Sequence, residues 1–279
     1  MLRTVWFRVY QNYLMPDRLP QYGRLLSIIR DRGFRFSTMA EFAELVKSGR
    51  PIEGPICVLR VDVDSDPNGA GGMFEQECAL NIRSTYYFRL STIDQALIRK
   101  MVGHGTEVGY HYEEIASFVR RRGLRRRQDV TVALPELREQ FCRNFDRFSR
   151  ETGVSPRTVA AHGDFLNRRL GVTNNEILDS VLMAELNIVA ETYEPWLVSR
   201  ISARVSDRPA PQWWHPCSPM EALENRPDVL CVVVHPRQWV RNPWLNMWLD
   251  LQRGAAEIEY RANAYCFDHQ TRTRFSGVR

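Results

Sequence analysis

Short runs of β-branched and aromatic residues alternate with helical stripes along most of this chain. Residues 56–61, 84–90, 106–110, 158–161 and 229–234 have the composition and length of strands, and 4–10 reads the same way. Helical spacing separates them. In 20–32, Leu25, Leu26, Ile28 and Ile29 share a face and Gly33 is a stop signal; 37–48 carries Phe42, Leu45 and Val46. Further helices are predicted over 73–80, 92–101, 176–183 and 244–254, and over 134–152, where Leu137, Phe141, Phe145 and Phe148 form one stripe. NGAGG (68–72) reads as a flexible turn, the Pro- and Trp-rich 191–227 as long loops, and 255–279 as an irregular polar tail. Strand–helix alternation of this kind predicts an α/β fold with a parallel sheet or barrel and crossover helices. The expectation is a single domain, with an N-terminal helical extension (1–54), a barrel (55–254) and the tail.

Four of these strands run out into residues of catalytic type. Asp62 and Asp64 follow the first core strand at spacing i, i+2, which on extended backbone aims both carboxylates at one face. His111, His162 and His235 stand at the ends of three others. Strand C-terminal ends are where ligands sit in parallel sheets and α/β barrels. Two carboxylates so close need a cation between them or a shared proton. The plain alternative is a turn-forming Asp pair ahead of Pro67. His and Asp together suit a divalent metal of the zinc class and leave room for an activated water and a general acid or base.

Composition narrows the classes. The chain has 279 residues, 44% apolar and 25% charged, enough for a real core. No run approaches the ~20 apolar residues of a membrane span, and the N-terminus alternates instead of forming an h-region. These features predict a cytoplasmic protein without a transmembrane segment. Its six cysteines (57, 78, 142, 217, 231 and 266), which form no CxxC, are then expected as reduced thiols. The net charge of +5 is concentrated in Arg120, Arg121, Arg122, Arg125, Arg126 and Arg127. With no interleaved aromatics and no nucleic-acid motif, this cluster predicts no nucleic-acid partner. It reads as a solvated loop able to meet an anionic surface or a phosphorylated sugar carrier.

The strand ends belong to an ordered set of motifs: LRVDVD (59–64), STYYFR (84–89), GHGTEVGYHYEE (103–114), AAHGDFLNRR (160–169), RVSDRPAPQWW (204–214) and VVVHPRQW (232–239). In content and order this set resembles the polysaccharide deacetylase superfamily, the carbohydrate esterases of family four, in a divergent branch. The resemblance spans about 180 residues. It implies a distorted (β/α)7 barrel and metal-dependent removal of an acetyl group by a bound water. It assigns Asp62 as catalytic base, Asp64 and His111 as metal ligands, His235 as general acid and Asp207 as the residue that holds a partner in place. The substrate class it implies is an acetylated amino sugar or glycan precursor, and the cofactor a divalent metal, zinc by preference.

The chain departs from that pattern at two places. Ile115 stands where the second metal-binding His belongs, and Val61 where a His precedes the base. His162 is the expected replacement ligand, with Glu113 and Glu114 as lesser candidates. Tyr86, Trp213 and Trp214 are candidate substrate contacts; as aromatics they suit a core equally well. Two further readings stay open: a metal-free carbohydrate-binding or scaffold relative, and a hydrolase of a non-sugar C–N bond.

Overall fold

Strand β2 (Ile56–Val63, ICVLRVDV) is buried over its whole length, yet its two faces differ. Cys57, Leu59, Val61 and Val63 alternate onto one face and join the main hydrophobic core. On the other face Ile56 and Val58 belong to a smaller core, and then the pattern switches to Arg60 and Asp62. Apolar burial therefore fixes the strand's register at one end, and its polar end opens the site.

In this computed structural model, which describes residues 6–7 and 9–276 with side chains to 265, nine strands form one sheet. Its order is β6 (Ala190–Glu191), β5 (Thr158–Ala161), β4 (Glu107–Tyr112), β3 (Thr85–Phe88), β2, β9 (Val229–Val234), β7 (Ala203–Asp207) and β8 (Trp214–His215). All neighbours are parallel except β7 and β8. Strand β1 (Arg35–Ser37) pairs with Ile56–Val58, and β3 takes over the same edge from Arg60 to Val63. The segment 1–54 thus adds a strand to the sheet as well as helices.

The sheet curls into a half-barrel. Arg60 on its inner face donates to Thr192 Oγ1 at 2.9 Å, just past β6 at the far end of the strand order. The helices are α1 (Leu19–Asp31), α2 (Met39–Lys47), α3 (Pro67–Ala79), α4 (Gln95–His104), α5 (Glu114–Arg122), α6 (Arg127–Val132) and α7 (Leu134–Thr152). The chain continues with α8 (Phe165–Leu170), α9 (Ser180–Glu185), α10 (Pro195–Val198), α11 (Pro219–Glu224) and α12 (Pro243–Ser276). The large core includes outward residues of β2 to β5 and the Phe stripe of α7; Met39, Phe42 and Ala43 of α2 belong to the smaller core with Ile56 and Val58. Gly109 on β4 makes room on the inner face: a Cβ there would lie 2.4 Å from Tyr87 Cε1 and 2.6 Å from the Thr158 carbonyl.

Several expectations change. Residues 6, 7 and 9 are helical and Tyr10–Leu14 is a π-turn, so no strand forms over them; 4, 5 and 8 of the predicted strand lie outside the described residues. The NGAGG stretch is helical. Asp66 caps α3 by accepting from the Gly69 amide at 2.9 Å, and the glycines serve close packing: a Cβ on Gly72 would meet Leu19 Cδ1 at 2.9 Å. The region 191–227 holds β7, β8, α10 and α11, elements too short to show a period. The helix expected at 176–183 is a 3₁₀ turn (Asn174–Ile177) followed by α9. The polar tail from 255 is the continuation of α12 through Ser276, with 277–279 outside the described residues. Gly254 costs only about 1 kcal/mol in a helix interior, and the Ala- and Glu-rich segment after it offsets that cost.

The arginine cluster is a loop only at Arg125 and Arg126, between α5 and α6. Arg120–Arg122 form the last turn of α5, Gly123 is its left-handed cap, and Arg127 begins α6. The expected exposure holds for all but Arg120, and salt bridges tie Arg120 to Asp164, Arg122 to Glu136, Arg126 to Asp129 and Arg127 to Glu176. Among the described residues no helix is long and apolar enough to cross a membrane. The five described cysteines are free.

Candidate metal centre

Asp62, Asp64, His111, His162 and His235 converge at the C-terminal ends of β2, β4, β5 and β9. The core of the arrangement is a triangle. Asp64 Oδ1 lies 3.1 Å from His111 Nε2 and 3.1 Å from His162 Nδ1, and the two ring nitrogens are 3.3 Å apart. Asp64 Oδ1 is buried, and despite these short approaches it has no partner in hydrogen-bonding geometry. A buried carboxylate oxygen left in that state costs free energy unless a cation completes it. A tetrahedral zinc-class ion with bonds of ~2.0–2.2 Å spaces its ligand atoms by roughly 3.3–3.6 Å, which is close to the edges of this triangle.

The surroundings prepare those atoms. His111 is buried, and its Nδ1 lies 2.9 Å from the Ala160 carbonyl. A carbonyl can only accept, so the proton sits on Nδ1 and the Nε2 lone pair faces Asp64. His162 leaves β5 at the next position, held by its amide on the Tyr112 carbonyl at 2.8 Å. Burial alone would push the Asp64 carboxyl up, but His162, His111 and His235 hold it well below the usual carboxylate range. Asp64 in turn raises His162 against the effect of its burial. One carboxylate and two imidazoles, with positions left open, form a donor set suited to a zinc-class ion.

Asp62 stands beside the triangle, with Oδ2 3.8 Å from His111 Nε2 and 3.9 Å from His235 Nε2. Arg60 grips it bidentately, Nε to Oδ1 at 2.7 Å and Nη2 to Oδ2 at 2.8 Å. Burial favours the neutral acid here, yet Arg60 and His111 outweigh it and keep Asp62 ionised. Opposite, His235 Nδ1 contacts Asp207 Oδ1 at 2.6 Å, while Asp207 Oδ2 accepts from the His235 amide at 2.8 Å and from Trp239 Nε1 at 3.0 Å. Burial would lower the His235 pKa, but Asp207, Asp64 and Asp62 hold it at about 10. Its side chain keeps 27% of its surface exposed, so it can reach an incoming group.

The other candidates separate. Tyr86 points into the main core and donates to Glu77 Oε1 at 2.7 Å, so it does not line the site. Its neighbour Tyr87 faces inward, 6.5 Å from the His111 ring, because alternation on β3 puts the two tyrosines on opposite faces. Trp214 packs edge-on to Trp239 at 5.9 Å. Trp213, with φ of 58°, lies 4.5 Å from the Arg18 guanidinium, and Trp239 lies 4.9 Å from it. Both tryptophans therefore support the His235 side of the site. Ile115 is buried in the core, Glu113 binds Arg89, and Glu114 accepts from Tyr110 and Asn144; none of them joins the triangle. Arg60, Trp239 and Arg89, whose Nη1 donates to the Asp64 carbonyl at 2.9 Å, were not anticipated. Arg60 had a signal: a cation inside an apolar strand, two residues from Asp62, must be paired to be buried.

Searches against family models, curated proteins and solved structures find no match to this chain.

Proposed function

We propose that the protein is a metal-dependent deacetylase of the polysaccharide deacetylase type, acting on an acetylated amino sugar or glycan precursor. The observation that carries this reading is the Asp64–His111–His162 triangle flanked on one side by Asp62 in the bidentate grip of Arg60 and on the other by His235 held against Asp207. A divalent cation held by those three residues supplies Lewis-acid polarisation of an acyl carbonyl and acidification of water.

The chain's own groups divide the remaining work. Asp62 accepts the proton of the attacking water; Arg60 fixes the carboxylate plane and leaves Oδ2 a second lone pair facing the site. His235 Nε2 gives a proton to the departing amine or alcohol, and Asp207 anchors the ring through Nδ1 so that Nε2 stays pointed inward. On that side Trp239 donates to Asp207 Oδ2 and Trp214 packs against Trp239. His162 at the position that completes the triangle answers the loss of the motif histidine at Ile115, and this favours a metal-binding protein over a metal-free scaffold.

The test is a panel of N- and O-acetylated sugars and simple acyl amides, presented to zinc-loaded protein with acetate release as the readout. Release from sugars and not from simple amides supports the reading. Turnover confined to non-sugar amides would replace it with C–N hydrolysis. A protein that takes up no divalent metal would leave only the binding-module reading.

A further inference from the structure

Helix α12 is 34 residues long and presents two unlike faces. One is docked. Asn246, Tyr260 and Ala264 are buried, Tyr260 Oη donates to the Leu124 carbonyl at 3.1 Å, and Asn263 Nδ2 donates to the Arg120 carbonyl at 3.1 Å. The crossing is as close as two backbones allow, since a Cβ on Gly123 would lie 2.4 Å from the Ala264 nitrogen. The helix is thereby fixed to the domain on one side only.

The outward face carries Trp244, Trp248, Leu251, Ala255, Ile258 and Ala262. Their spacing is 4, 3, 4, 3, 4, which is the a/d seam of a coiled coil. Every one is exposed, the larger ones heavily so: Trp244 77%, Trp248 57%, Leu251 62% and Ile258 70%. No polar residue interrupts the seam. A strict a/d stripe is narrower than the face a helix turns to a globular core, and it fits one other helix.

The sequence of the seam names that helix. A homodimer interface must be complementary to itself. If a second copy runs antiparallel with its Ala262 opposite Trp244, then Trp248 meets Ile258 and Leu251 meets Ala255, and two-fold symmetry repeats each layer. Bulky residues face small ones in the outer and central layers, and Gly254 beside Ala255 lets the backbones approach there. The six side chains offer on the order of 700–800 Å² per copy, near the ~800 Å² per partner of a standard interface. The charges beside the seam pair within the helix, Arg253 with Asp250 and Arg261 with Glu257, and so form no basic band for an anionic lipid surface. We infer that the outward face of α12 joins two copies of this chain as an antiparallel two-stranded coiled coil.

Light scattering on the full-length protein tests this. Wild type is expected at twice its 32.6 kDa mass at tens of micromolar, and L251E/I258E at the monomer mass, with unchanged far-UV circular dichroism and unchanged zinc uptake. In mixed oxidised samples, L251C and A255C together should cross-link above the background of the unsubstituted protein. A wild-type monomer, or a dimer that survives L251E/I258E, would overturn the inference. So would A255C cross-linking to itself alone, which signals parallel pairing, or a monomer that co-sediments with phosphatidylcholine–phosphatidylglycerol vesicles.

Discussion

Two carboxylates, the fully buried Glu77 and the partly exposed Asp64, show how differently this protein treats the same functional group. Glu77 lies in the main core on α3. Tyr22 and Tyr86 donate to its Oε1 at 2.5 and 2.7 Å, and Ser84 to its Oε2 at 2.6 Å. Burial nonetheless raises its pKa to about 7. Asp64 has no partner in hydrogen-bonding geometry at Oδ1, sits among three imidazoles, and is driven strongly toward the charged form. Hydroxyl donors can serve a neutral or a charged acid, so Glu77 tolerates either state and joins helix α1 to the sheet. Imidazole nitrogens with fixed tautomers serve a carboxylate only through a shared cation or proton. A saturated carboxylate is a structural joint; an unsaturated one beside lone pairs is a candidate ligand.

Breaking each carboxylate should separate the two roles. Asp64→Ala is expected to abolish zinc uptake and acetate release together, with the fold intact by circular dichroism. It should also cancel the zinc-dependent rise in Tm, a stabilisation of ~2.7 kcal/mol when free metal is 100 times Kd. Glu77→Ala should do the reverse, keeping zinc stoichiometry while losing roughly 3–5 kcal/mol in urea denaturation, because three buried hydroxyls lose their acceptor. If Asp64→Ala binds zinc normally, the ligand reading of Asp64 fails.

Asp62→Asn sharpens the contrast inside the site. It should retain the metal and slow turnover by ~10²–10⁴, the usual effect of losing one acid–base group. His162→Ala asks whether the replacement ligand is real: zinc affinity should fall, and unchanged affinity would remove His162 from the triangle. Asp207→Asn should move the basic limb of the pH–rate profile to lower pH, since Asp207 is the main group raising His235.

A further expected effect concerns pH. Glu77 has a folded pKa raised from 4.5 to about 7. Its proton favours the folded state, so this contribution is complete below pH 4.5 and is lost as pH rises toward 7. The loss amounts to about 3 kcal/mol at 1.36 kcal/mol per pKa unit. Glu77→Gln should flatten that part of the stability curve measured by urea denaturation, and an unaltered slope between pH 4.5 and 7 would show that another group carries it.

The part of the site legible in the sequence is the part written at strand ends. Asp62, Asp64, His111, His162 and His235 were readable because a β-branched run followed by a polar residue marks both a strand and its exit. What supports them was not. Arg60 was hidden inside an apolar run, and Trp239 contacts Asp207 across a distance that no local pattern reports. Tyr86 and Tyr87 could not be told apart because β3 is buried on both faces, so burial alone gives no parity. Short elements such as β1, β6 and β8 lack the length for a period. The glycines of α3 and Gly254 of α12 misled because their role is packing or simple tolerance, which tertiary contacts decide.

Strand β2 takes three neighbours, and one of them, β9, comes late in the chain. Val61 pairs with Val234, and His235 follows at once. During synthesis at ~5–20 residues per second, on the order of ten to thirty seconds separate the emergence of Asp62 from that of its β9 partner. In that interval the nascent chain carries the carboxylates and two histidines without the strand that seals one edge of β2. The order of translation therefore makes completion of this centre a late, non-local event, with His235 among the last of its residues to arrive.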